Sequence, residues 1–115
     1  MMASGEERTE LVAQERLRSA AKSAVEHVLG PNTAYSHGLV ARWTADINRG
    51  VLDALRSDAR PHERCVVHCT LLQKSPAPFY TATAAYWNDA TDLCVSYRWT
   101  NATIVCIVTV ISVSP

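Results

Sequence analysis

The residues best suited to chemistry are four histidines and four cysteines, several of which fall between residues 62 and 69. His62, Cys65 and His68 follow one another at intervals of three, and histidine with cysteine is a common zinc ligand set. On an extended chain, however, this spacing directs Cys65 away from both histidines, and the four-ligand pattern of a zinc site is absent. Cys69 beside His68 suggests a nucleophile with its base, but strand neighbours point in opposite directions. We therefore predict no metal, no cofactor and no catalytic residue.

Composition argues against several other classes of protein. The chain has only four glycines and none of the glycine-rich loops that cradle phosphates. Eleven basic and eleven acidic residues cancel to zero net charge, which leaves no footprint for nucleic acid or for an anionic membrane. The first ten residues, MMASGEERTE, are acidic and polar where an export signal would be basic and then apolar. We expect a cytoplasmic protein that uses no small-molecule substrate.

The N-terminal half predicts two amphipathic helices. The first extends from Thr9, as N-cap, to Leu29, and Gly30-Pro31 ends it. The second extends from residue 34 or 36 to residue 58, with Gly50 explained by close packing against the first helix or the sheet. Residues 1–8 are predicted to form a disordered tail and residues 9–115 a single domain. The predicted apolar stripes are Leu17, Ala21, Ala24 and Val28 on the first helix, and Val40, Trp43, Ile47, Val51 and Ala54 or Leu55 on the second.

The C-terminal half has the alternation and turn residues typical of β-strands. Four segments qualify, namely ERCVVHCTLLQK, FYTATAAYWN, LCVSYRWT and TIVCIVTVISV. The connections SPAP, DATD and NA are short and rich in turn formers, which favours antiparallel neighbours. The predicted fold class is α+β, with two N-terminal helices packed on one face of a four-stranded antiparallel sheet.

The last predicted strand is apolar on both faces, and the helices can cover only one of them. If about six large apolar side chains on the other face stayed exposed, on the order of 10 kcal/mol of burial free energy would be lost, which is comparable to the stability of a small domain. A second copy of the sheet is the simplest cover, so we predict an obligate homodimer. The first strand contributes Val66 or Val67 and Leu71 or Leu72, depending on register. The predicted dimer interface is Val67, Leu71, Val105, Ile107, Thr109 and Ile111.

The segment FYTATAAYW suits an edge strand, because its small side chains bury little. The backbone N–H and C=O groups of such a strand are free to pair with an extended peptide. The aromatic residues around it have a simpler explanation as packing at the edge of the sheet.

Four blocks of sequence, HGLVARWTADI, CTLLQK, YTATAAYWNDATD and RWTNATIVCIVTVIS, together resemble the Tctex-type dynein light chain family. The resemblance extends from about Gly30 to Ser114 in the family's order and spacing. It implies a non-catalytic homodimer that exchanges a strand between subunits and binds an extended segment of the dynein intermediate chain by strand addition. By position, the exchanged and partner-binding strand would be Phe79, Tyr80, Thr81, Ala82, Thr83, Ala84, Ala85, Tyr86 and Trp87.

The resulting expectation is a dimeric light chain of a dynein motor complex, associated with the cytoskeleton and, as one setting, with a cilium or flagellum. Cargo proteins are further expected partners. Two alternatives stay open: a free-standing dimeric adaptor for other proteins, and a small-ligand or catalytic α+β dimer using His68 and the cysteines.

Overall fold

The computed structural model describes residues 5–57, 63–74 and 92–113, and side chains within 11–57, 63–74 and 93–113. Two helices come first: α1 spans Gly5–Val28 and α2 spans Val40–Arg56, with a short 3-10 helix at His37–Leu39 before α2. Three strands follow: β1 spans Arg64–Gln73, β2 spans Asp92–Thr100 and β3 spans Ile104–Val113. The helices pack on one face of the sheet, α1 mainly over β2 and α2 over β1, which gives the predicted α+β architecture.

The first helix begins four residues before the predicted Thr9 N-cap. Residues 5–8 are helical, so the tail predicted over residues 1–8 is wrong at its C-terminal end. Residues 6–8, Glu-Glu-Arg, are good helix formers and include no helix breaker. Their polarity alone does not distinguish an exposed helix from a disordered tail. The other end lies where it was predicted. Leu29 N donates to Val25 O, after which Gly30 N donates to the Thr33 hydroxyl at 2.8 Å, and Pro31 prevents further helix.

The buried stripes of both helices agree with the periodic pattern. Of the predicted stripes, Leu17, Ala21 and Ala24 of α1 and Ile47, Val51 and Leu55 of α2 are buried. The other predicted residues, Val28, Val40 and Trp43, are only partly buried, and Val25, which was not predicted, is buried. Ala54, the alternative to Leu55, is exposed. A Cβ added to Gly50 would lie 3.2 Å from the Ala24 Cβ, so the two helices approach closely at this glycine. Close packing against the first helix therefore explains Gly50.

The described sheet has three strands in the order β1-β3-β2, with β3 antiparallel to both neighbours. The predicted second strand lies outside the described residues, so a four-stranded sheet remains a prediction. The register pairs Val67 and Val95 with Val110, and Leu71 with Cys106. The sheet residues packed in the core under the helices are Cys65, Val67, Cys69, Leu71, Leu93, Val95, Tyr97, Trp99, Ile104, Cys106, Val108 and Val110.

A buried ion pair joins both helices to the sheet. Arg16 of α1 donates two hydrogen bonds to the carboxylate of Glu63, at 3.0 and 2.9 Å, and a third to the Leu55 carbonyl at the end of α2. Ser112 of β3 donates to the same carboxylate at 3.0 Å. The Glu63 side chain is 4% exposed and that of Arg16 is 17% exposed. These hydrogen bonds, chiefly those from Arg16, hold the pKa of Glu63 below its ordinary value despite burial.

Candidate functional site

The face of the sheet turned away from the helices, here called the far face, is the main candidate surface. Its aliphatic residues are Val66, Leu72, Val105, Ile107, Ile111 and Val113. Val66 is 58% exposed, whereas Val105 is only 5% exposed between its cross-strand partners Leu72 and Thr100. The far face therefore presents aliphatic side chains that no described helix covers, as the double-sided pattern of β3 predicted.

A polar row crosses the middle of the far face. The register places His68 of β1 and Ser96 of β2 on either side of Thr109 in β3. The Ser96 and Thr109 hydroxyls lie 3.2 Å apart and form a hydrogen bond. Arg98 occupies the next position of β2 on the same face, beside Ile107. The far face thus combines aliphatic side chains along β3 with polar and charged ones on the two flanking strands.

The six residues predicted for a dimer interface do not share one face. Val105, Ile107, Thr109 and Ile111 lie on the far face, but Val67 and Leu71 pack against the helices and belong to the core. The β1 positions on the far face are instead Val66 and Leu72, the alternatives that the opposite register allows. Val67 lies on the helix-covered face because it pairs with the core residue Val110, so its neighbour Val66 lies on the far face. The predicted partner-binding residues Phe79 to Trp87 all lie outside the described residues.

The cysteines and His68 do not converge. Cys65, Cys69 and Cys106 lie on the helix-covered face, whereas His68 is exposed on the far face. Cys94 shares the far face, but it lies across β3 from His68 and faces Ile111 rather than Thr109. The Cys69 and Cys106 sulfurs are 3.7 Å apart, and their hydrogen bond lowers the pKa of Cys69 and raises that of Cys106. Burial and the nearby Glu63 carboxylate raise the pKa of Cys65. A thiol with a raised pKa is a poor nucleophile at neutral pH, and His68 cannot serve as its base from the opposite face.

The described ranges contain neither a cluster of metal-binding side chains nor a membrane-spanning helix. No three histidine, cysteine, aspartate or glutamate side chains described between residues 11 and 113 are grouped so that they could hold a metal ion. Neither described helix is long and apolar enough to cross a membrane.

The β2–β3 turn is fastened to the loop between the helices. The Asn101 side-chain oxygen accepts hydrogen bonds from the backbone N–H groups of Thr103 and Ile104, which shapes the turn. Its amide donates to the carbonyls of Gly30 and Thr33, at 3.1 and 2.8 Å. The Thr103 hydroxyl accepts a hydrogen bond from Tyr35 N. Asn101 was predicted as a turn residue, but the link to a loop about 70 positions away has no signal in the local sequence.

The described residues thus form an α+β fold in which no described helix covers one face of the sheet. The family model described as "Tctex-1 family" matches residues 11–113. The chain therefore belongs to the Tctex-1 family, and the resemblance seen in the four sequence blocks is confirmed.

Individual relatives support the same assignment. The chain is 37% identical over 89 residues to a protein named dynein light chain Tctex-type from Drosophila melanogaster, covering 77% of this chain and 78% of the relative. It is 35% identical over 96 residues to a dynein light chain Tctex-type from Dictyostelium discoideum, covering 84% and 86%. A human dynein light chain Tctex-type 3 is 32% identical over 100 residues, covering 87% and 84%.

Proposed function

We propose that this protein is a non-catalytic, dimeric light chain of a dynein motor complex that binds an extended segment of the intermediate chain by β-strand addition. The names of its relatives, all dynein light chains of Tctex type, support the motor assignment. The observation that carries the dimer is the uncovered far face, on which Val66, Ile107 and Ile111 remain accessible. The protein thereby associates with the cytoskeleton, and a cilium or flagellum is one setting.

The directions of the strands support a fourth strand in the chain segment that joins the end of β1 to the start of β2. Both strands are antiparallel to β3, so they run parallel to each other and begin at the same end of the sheet. The chain leaves β1 at the Lys74 end, beside Thr103, and must re-enter at Asp92, beside Val113. A return over the length of a ten-residue strand requires about 30 Å, which nine extended residues provide. A strand at residues 79–87 would have that length, and it would run antiparallel to both β1 and β2.

Strand exchange and peptide binding follow from this placement. A fourth strand can pair with β1 or β2 of its own chain, or with the same edge of a second copy. Exchange between two copies would join them while their far faces pack together. A dimer would then hold two intermediate-chain segments side by side, and the second would bind at a high effective concentration. Cargo proteins are a further class of partner for the same surfaces.

The dimer is tested by adding charge to the far face. The wild-type chain should sediment with twice its mass of 12.6 kDa, and the double substitution Ile107→Glu and Ile111→Glu should give a folded monomer. Ala54→Glu, on the exposed side of α2, is the matched control and should remain dimeric. A wild-type monomer at micromolar concentration would refute the dimer.

Strand addition is tested by removing a single backbone N–H group. Proline at Thr81 or Thr83 should weaken binding of an intermediate-chain segment more than alanine at the same position. This difference is expected at the position whose backbone N–H donates a hydrogen bond to the partner. Equal effects of proline and alanine at both positions would argue that side chains alone mediate binding.

The free-standing adaptor is the second candidate, and it shares the fold and the dimer. Purification of the tagged protein from cell lysate discriminates between the two. Dynein intermediate and heavy chains should co-purify with a motor light chain, whereas an adaptor would bring down other proteins without them. The small-ligand or catalytic alternative has less support, because three of the four cysteines lie on the face opposite His68 and Cys94 is separated from it by β3.

A further inference from the structure

A cavity of about 460 Å³ lies at the end of the sheet where β2 turns into β3. It is enclosed by the last turn of α1, the start of the interhelical loop and the end of β2. The residues that line it are Glu26, Leu29, Pro31, Trp99, Thr100 and Asn101. Its volume falls within the range of pockets that bind small molecules or single side chains. Trp99 packs on the helix-covered side of β2, whereas Thr100 belongs to the far face, so the cavity lies at the end of the sheet where the two faces meet.

The charge of this cavity is set by Glu26. This residue lies in the last turn of α1, where the helix dipole already places partial negative charge and favours cations. The Glu26 carboxylate is exposed and forms no salt bridge with any described residue, including Lys22 one turn earlier. Together with burial, it raises the pKa of neighbouring Tyr97. A negative group without a partner, at the negative end of a helix, opposes the stability of α1 and favours a cationic ligand.

The remaining walls restrict the shape of that ligand. Trp99 contributes an indole ring that is partly buried, and an indole is the best aromatic partner for a cation. Asn101 has no spare hydrogen-bonding capacity, because its oxygen accepts two backbone N–H groups and its amide donates to two carbonyls. Leu29 and Pro31 add an apolar surface for a hydrocarbon stem. The cavity thus offers one carboxylate, one aromatic ring and an apolar floor.

We propose that this cavity binds the guanidinium group of an arginine side chain presented by a partner protein. A planar guanidinium can stack on Trp99 while it donates two parallel hydrogen bonds to the Glu26 carboxylate, and the stem of the arginine covers Leu29. A lysine ammonium would satisfy the charge but neither the stacking nor the paired geometry. This site is independent of strand addition and of the far face, so it stands or fails separately from the function proposed above.

The test uses the full chain labelled with ¹⁵N and follows the Trp99 indole N–H signal, assigned with Trp99→Phe. The probe is N-acetyl-arginine methylamide, and N-acetyl-citrulline methylamide is the uncharged control of the same shape. We expect a saturable shift with a millimolar dissociation constant for the arginine probe and about three- to fivefold weaker binding of the citrulline probe. An N-acetyl-lysine methylamide titration should also be weaker than that of arginine.

Matched variants decide which carboxylate is responsible. Glu26→Gln should weaken arginine binding by about three- to fivefold, whereas Glu15→Gln, an exposed acid elsewhere on α1, should leave it unchanged. The far-face double substitution Ile107→Glu and Ile111→Glu should also leave it unchanged, which separates this site from the dimer. The proposal is refuted by an unsaturable shift, by equal binding of the arginine and citrulline probes, or by a Glu26→Gln variant that binds as the wild type does.

Discussion

The two faces of β3 have nearly the same composition and opposite surroundings. On the helix-covered face, Ile104, Cys106, Val108 and Val110 are fully buried, and Ser112 at the end of the strand binds Glu63. On the far face, Ile107, Thr109, Ile111 and Val113 remain partly exposed. One face completes the fold of a single chain, and no described helix covers the other. In the proposed dimer, the partly exposed residues of this second face would serve association rather than the stability of one chain.

The sharpest test of this contrast compares isoleucines on the two faces. Ile104→Ala should lower the free energy of unfolding by about 3 kcal/mol, because it removes fully buried atoms and leaves a cavity. Ile111→Ala should cost about 1 kcal/mol and should act through the dimer. Sedimentation equilibrium of the folded proteins separates the two, since only Ile111→Ala should raise the dissociation constant of the dimer. An Ile111→Ala dimer as tight as that of the wild type would place this residue in the chain's own core.

The buried ion pair at the end of the helix-covered face gives the next largest effect. Glu63→Gln should cost about 2 kcal/mol, because neutral hydrogen bonds replace the charge-assisted bonds between Glu63 and the Arg16 guanidinium at a largely buried position. The matched control is Asp46→Asn, which removes an exposed pair with Arg42 at 4.0 Å and should change stability by less than about 0.5 kcal/mol. Similar losses in both variants, measured by urea unfolding, would mean that Glu63 contributes no more than a surface charge.

The same carboxylate predicts how stability depends on pH. The pKa of Glu63 is lower in the folded chain than its ordinary value of 4.5, so the ionised form stabilises the fold at neutral pH. That contribution is complete above the unfolded pKa and is lost as the pH falls through the folded pKa. Between pH 5 and pH 3, the wild type should therefore lose stability more steeply than Glu63→Gln. Parallel thermal-unfolding profiles for the two proteins would contradict this assignment.

The smallest predicted effect compares two glycines. Gly38→Ala has open space around the new Cβ, so stability should be unchanged or rise by up to about 0.5 kcal/mol. Gly50→Ala gains about 1 kcal/mol of helix propensity but places its Cβ 3.2 Å from the Ala24 Cβ, and the two effects should nearly cancel. A bulkier Gly50→Val should be clearly destabilising in thermal unfolding. If Gly50→Val is tolerated, the contact between α1 and α2 is looser than the structure indicates.

Periodicity made the helices predictable, and the same reasoning could not fix the sheet. In α1 and α2 only one face is apolar, so Leu17 and Ile47 could be assigned to the core from spacing alone. In β1, Val66 and Val67 are adjacent and equally apolar, as are Leu71 and Leu72. The alternating pattern is therefore satisfied whichever member of each pair faces the helices. Only pairing with β3 resolves the choice, and that information is not local.

The contacts that close the structure share this non-local character. Arg16 and Glu63 are 47 positions apart, and Asn101 reaches the Gly30 carbonyl across 71 positions. Contacts between residues so far apart cannot be predicted from the pattern within about ten or twenty consecutive residues. The pairing of Glu26 with Trp99 around one cavity was missed for the same reason, although a glutamate in the last turn of a helix is unusual enough to invite attention.

The fastening of the β2–β3 turn has one chemical consequence. Asn101-Ala102-Thr103 spells the acceptor sequence for an N-linked sugar. A glycan would replace a hydrogen on the Asn101 amide nitrogen, yet that nitrogen donates to both the Gly30 and Thr33 carbonyls in the folded chain. Sugar attachment would therefore remove at least one of the two hydrogen bonds that hold the interhelical loop to this turn.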